Sequence, residues 1–85
     1  MSAFHHKANL IRREEPNYWF QFFPDFISHE SLFGEFCLNI HDGSFEITKT
    51  VDHSQAASSV AGLVHKIRKE HKTSNAIPEK VAFVA

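Results

Sequence analysis

The chain has 85 residues, a formal net charge of −1 with its seven histidines neutral, 42% apolar side chains and 22% charged ones. The length supports one domain spanning residues 1–85. The apolar content excludes global disorder, and the charge balance excludes a wholly basic nucleic-acid-binding surface. A chain this short buries little more than ~60% of its unfolded surface, so the core is thin and association is a common way to enlarge it.

Cys37 is the sole cysteine, which rules out an intramolecular disulfide and fits a reducing setting. The first residues lead to no apolar run of signal-peptide length, and nothing approaches the ~20 apolar residues of a membrane span. The sequence therefore reads as a soluble, cytoplasmic protein. It has no internal repeat and no low-complexity stretch.

In chain order, a first strand is expected over about residues 7–13. Leu10 and Ile11 are its only large apolar side chains, so it reads as an edge strand. Glu15-Pro16-Asn17-Tyr18 has turn chemistry. An aromatic strand follows and is stopped by Pro24, which cannot donate to a ladder.

Ten of the eleven aromatic residues precede residue 46, and six fall in one stretch: Tyr18, Trp19, Phe20, Phe22, Phe23 and Phe26. Strand side chains alternate, so Tyr18, Phe20 and Phe22 point one way while Trp19 and Phe23 point the other. A sheet with one wet face shows apolar-polar alternation, and this strand does not. Something apolar is expected over both faces.

Residues 25–34 read as either a short helical turn or an irregular loop. Phe26, Glu30 and Phe33 have helical spacing, Asp25 is a candidate cap and Gly34 a candidate terminator. Asp42-Gly43 lies between alternating segments and is the preferred sequence of a two-residue type I′ hairpin. That turn pairs His41 with Ser44, Ile40 with Phe45, Asn39 with Glu46 and Leu38 with Ile47. It places Phe36, Leu38, Ile40, Phe45 and Ile47 on one face.

A helix is expected over about residues 54–72, with Asp52 and Gln55 as a capping box and Ser54 as a competing cap. Ala56, Val60, Leu63, Val64, Ile67 and His71 form its apolar stripe. Lys66, Arg68, Lys69 and Lys72 crowd its last turns, where cations complement the helix dipole. Pro78 precedes a last strand over residues 80–85, whose two apolar faces suggest an interior position. The fold class is thus α+β: a mostly antiparallel sheet of about five strands, β-β-β-β-α-β, with one amphipathic helix on one face.

Candidate chemistry is sparse. No Cys-x-x-Cys or His-x-x-x-His pair exists, and the adjacent His5 and His6 diverge on a strand, so no metal site and no cofactor is expected. His71, at the helix C-terminus on the apolar stripe, reads as a structural imidazolium. Cys37 and His41 are ~13 Å apart along one strand and make no dyad. No glycine-rich turn enters a helix, so phosphate cradling has no motif. Lys66, Arg68, Lys69 and Lys72 are candidate phosphate contacts, with Lys7, Arg12 and Arg13 as further candidates and bases stacking on exposed rings.

The residues read best as a non-enzymatic interaction module that self-associates, a dimer being favoured, or binds a partner protein. Tyr18, Trp19, Phe20, Phe22, Phe23 and Phe26 would form the interface. One alternative makes the same rings the wall of a small-molecule pocket or minor active site, with His29, Glu30 and the hairpin's polar residues at its mouth. A weak nucleic-acid binder is the other alternative. The element order resembles that of many small accessory proteins of bacterial type, a likeness of fold that carries no site.

Overall fold

The computed structural model describes residues 4–84. Its elements are β1 (His5–Glu14), β2 (Asn17–Phe23), β3 (Gly34–Asn39), β4 (Phe45–Lys49), α1 (Ala56–Ser74) and β5 (Lys80–Val84). All five strands form one antiparallel sheet in the order β4-β3-β2-β1-β5, with the single helix on one face. This is the expected α+β architecture. No helix among the described residues is long and apolar enough to cross a membrane.

The aromatic strand lies at the centre, between β1 and β3. Tyr18, Phe20 and Phe22 point toward the helix and are buried, Phe20 and Phe22 completely. Burying each such ring contributes roughly 2–3 kcal/mol of transfer free energy. Phe36 of β3 stacks on Phe20 at 5.3 Å between ring centroids. From α1, Val60, Leu63, Val64 and Ile67 close the layer. The apolar spacing of the helix set this stripe.

Two strand positions differ from expectation. β1 is an interior strand, paired with β2 through residues 7–14 and with β5 through residues 5–9. Its polar second half, residues 11–14, lies beyond the end of β5 and is exposed, which is why it carries the composition of an edge. β5 is itself an edge. Val81 and Phe83 face the helix, while Val84 on the other side is 61% exposed.

The register of the β3–β4 hairpin also differs. Leu38 pairs with Phe45, Cys37 with Glu46 and Phe36 with Ile47. The loop is residues 40–43, closed by Gly43 N–H donating to Asn39 O at 2.8 Å and Asn39 N–H donating to Ser44 O at 2.8 Å. Side-chain turns stabilise this longer loop. Asn39 Oδ1 accepts from the His41 N–H, and Asp42 Oδ1 accepts from both the N–H and the hydroxyl of Ser44. Gly43 supplies the positive φ of 76° that the turn requires. The pairing moves by two residues, an even number, so Phe36, Leu38, Phe45 and Ile47 keep their expected face, while a bulge at Thr48 turns Lys49 to the side of Glu35.

Residues 25–34 form a series of turns without a helix, and Gly34 opens β3 opposite Phe22. A Cβ there would stand 2.5 Å from Lys49 O and against the Phe22 ring, so the position demands glycine for close approach. The helix begins later than expected, at Ala56, with Gln55 as N-cap and no side-chain cap. His53 replaces the expected Asp52 or Ser54: its Nδ1 accepts from the Gln55 N–H at 3.0 Å and its carbonyl accepts from Ala56 N–H at 3.1 Å. At the other end, Asn75 adopts the left-handed conformation and donates its N–H to His71 O.

Candidate functional site

The sheet face away from the helix is built by the alternate residues of each strand: Lys7 and Asn9 of β1, Trp19, Gln21 and Phe23 of β2, and Glu35 and Cys37 of β3. No second helix or sheet of the described residues covers it. The six aromatic candidates therefore divide. Tyr18, Phe20 and Phe22 are core. Phe23 and Phe26 are screened locally: Phe33 packs on Phe23 at 5.8 Å, and Lys7 Nζ lies 4.7 Å from the Phe23 ring centroid and 4.9 Å from that of Phe26. Phe33 is itself capped by Lys49 Nζ at 4.0 Å.

Trp19 is what remains on that face, partly exposed, with the Arg12 guanidinium 4.7 Å above its ring. That stacking has a backbone cause. Leu10 pairs with Phe20 and Arg12 with Trp19, so Ile11 is an extra residue bulged out of β1. The bulge brings Arg12 to the side of Trp19 instead of the helix side. Glu14 accepts from the Arg12 guanidinium at 2.7 Å and fixes its orientation.

Cys37 sits directly opposite Trp19 on β3. Burial pushes its thiol pKa up and the neighbouring Glu46 carboxylate adds to the rise, so the group is a thiol at neutral pH and a poor nucleophile. Tyr18, on the core side, also has its pKa raised by burial and by its hydroxyl donating to Glu15 Oε1 at 3.1 Å.

The basic candidates are only partly brought together. Arg68, Lys69 and Lys72 line one open groove of about 600 Å³ with His65, His71 and Ile40. Lys66 is turned away and donates to Ala82 O on β5. Arg13 lies 3.7 Å from Glu79, while Lys7 and Arg12 belong to the open face. Two further grooves are lined by Lys66, Lys69, Glu70, Thr73 and Ser74 and by residues of β1 and β5 with Phe26. Trp19 lines none of the three.

The structure also assembles a group that sequence spacing did not single out. Asp25, His29 and His53 each offer a ligand atom within 4.8 Å of the other two. His6 is close by, on the helix side of β1. It is 1% exposed and stacked on Phe83 at 4.5 Å, and neither of its ring nitrogens has a hydrogen-bond partner. Burial lowers its pKa, with Asp25 opposing that shift and His53 and His5 reinforcing it. The available sequence signal was Asp25-x-x-x-His29, which gains meaning only once a turn holds both residues on one side. His53 comes from a separate segment, so no local spacing could include it. Comparison with protein-family models, with curated proteins and with solved structures returned no match.

Proposed function

We propose that this chain is a small non-enzymatic interaction module that forms a homodimer through the open sheet face around Trp19. The observation that carries this reading is the ring itself: the one large aromatic side chain of the central strand that neither the helix nor the 24–33 loop covers. A partner seated there would desolvate the ring and the Arg12 guanidinium stacked on it, the kind of pair that dominates interface energetics.

A second copy of the same chain is the occupant that the charges favour. Arg12 and Lys49 share this face with Glu35 and Glu46, and a twofold axis lets a surface carrying both signs meet its own complement. The thin core of an 85-residue chain adds to the case, since association enlarges what folding alone can bury. The free thiol of Cys37 suits a reducing, cytoplasmic setting. A ligand pocket at Trp19 has less support, because none of the three grooves includes it. A weak nucleic-acid contact rests on Arg68, Lys69 and Lys72 alone.

Light scattering across a hundredfold range of concentration tests the dimer. The expected result is a mass near twice 9.7 kDa that falls on dilution. Trp19→Ala, with its fold checked by circular dichroism, should weaken the dimer by about thirtyfold or more, in line with ~2 kcal/mol or more for an interface tryptophan. A wild-type chain that stays monomeric throughout overturns the proposal.

A further inference from the structure

Polar groups that neither the core nor the open face uses collect where β1 begins, β2 ends and α1 starts. Asp25 is 6% exposed, and its Oδ1 meets no hydrogen-bond donor among the described residues. A carboxyl oxygen withdrawn from water is unfavourable unless a donor or a cation faces it. What faces Asp25 is a pair of imidazoles, His29 exposed and His53 half-buried, their rings edge to face with centroids 5.9 Å apart.

We propose that Asp25, His29 and His53 hold a divalent transition-metal ion of the zinc class, with a coordination position left open on the His29 side. Three backbone anchors present the ligands. His29 N–H donates to Asp25 O at 2.7 Å, an α-turn that sets the two side chains together, and Phe26 N–H donates to His5 O at 3.0 Å, tying that turn to β1. His53 is held by its N–H to Val51 O and by its carbonyl, which takes the first N–H of the helix. The Phe4 ring, perpendicular to that of His53 with centroids 5.7 Å apart, gives His53 an apolar side.

The geometry is close to what the ion needs. Ligand atoms at ~2.0–2.1 Å from a tetrahedral zinc are ~3.3 Å from one another. Contraction from 4.8 Å at most is within reach of the exposed His29 side chain. The donors also choose the metal. Magnesium and calcium take oxygen ligands almost throughout, whereas two imidazoles and one carboxylate suit zinc, cobalt, nickel or ferrous iron.

His53 supplies a local reporter. In the metal-free chain its Nδ1 accepts from the Gln55 N–H, which places the neutral ring's proton on Nε2. Coordination through Nδ1 takes the lone pair that Gln55 uses. Coordination through Nε2 moves the proton to Nδ1, facing the Gln55 N–H. Either way that amide loses its acceptor at the first turn of α1.

The test uses the full chain, stripped by chelator and titrated with zinc chloride by calorimetry, with cobalt absorption as a second readout. The expected result is one ion per chain, with affinity reduced at least tenfold by His29→Ala and unchanged by His65→Ala, a control histidine on the exposed face of α1. His29 is exposed, so its removal leaves the fold intact even where Asp25→Asn does not. The Gln55 amide resonance should shift on zinc addition. Absence of saturable binding, equal losses from the His29 and His65 variants, or a Gln55 amide that does not move would each overturn the site.

Discussion

Ser59 shows how far a single side chain can depart from its neighbours. It lies fully buried on the apolar stripe of α1, and its hydroxyl has no hydrogen-bond partner. An unmet buried hydroxyl costs about 1–3 kcal/mol, and serine is also a poorer helix former than alanine by about 0.5 kcal/mol. Ser59→Ala should therefore stabilise the chain by about 1 kcal/mol, raising the melting temperature by about 4–8 °C in calorimetry. An unchanged or lower melting temperature would show that water or a neighbour satisfies the hydroxyl. Residue identity made Val60, Leu63, Val64 and Ile67 readable as core, because their spacing is the helix period. Ser59 was not readable, since a serine on that spacing is equally at home facing solvent.

At the scale of elements, the bulge at Ile11 governs which side chains face the helix. Six residues of β1 precede it, and among them His6, Ala8 and Leu10 point toward α1. Ile11 itself is 49% exposed. Ile11→Ala should change stability by no more than about 0.5 kcal/mol in urea melts followed by circular dichroism. Deleting Ile11 is a different experiment. It removes the surplus residue, so Leu10 and Arg12 become neighbours that still pair with Phe20 and Trp19 on opposite faces, and cooperative unfolding should be kept. A deletion variant that loses cooperative unfolding would mean that the local bend and twist of the bulge are needed as well as its register. The alternation within β2 and the faces of the hairpin were legible in the sequence because side-chain period on a strand is two. The bulge was not. Nothing in Leu10-Ile11-Arg12 marks one residue as surplus until Phe20 and Trp19 are placed opposite.

The whole molecule measures about 35 × 24 × 17 Å, a single sheet with one helical layer. Its helix lies over β5, β1 and β2, leaving Phe45 of the edge strand β4 44% exposed and the far face of the sheet uncovered beside Trp19. A two-layer body of this size has few ways to gain stability except association. If the dimer forms, melting must depend on concentration, because dissociation accompanies unfolding. The melting temperature should rise by about 3–5 °C per tenfold increase in protein, and the dependence should vanish in Trp19→Ala. A melting temperature flat over a hundredfold range would count against self-association.

The sequence by itself determined the α+β class, the hairpin's two faces, the helix stripe and the split of the aromatic strand, since each follows from a local period of two or 3.6 residues. Only the tertiary structure decided that β1 is interior and β5 an edge, because strand order depends on which hydrogen-bonding edges meet and not on composition. It likewise narrowed six aromatic candidates to Trp19, by laying Lys7 and the 24–33 loop over Phe23 and Phe26. Bringing His53 to Asp25 and His29 required the chain to pass through the two strands of the β3–β4 hairpin before returning to the same end of the sheet. A site assembled across that separation leaves no spacing in the sequence to read.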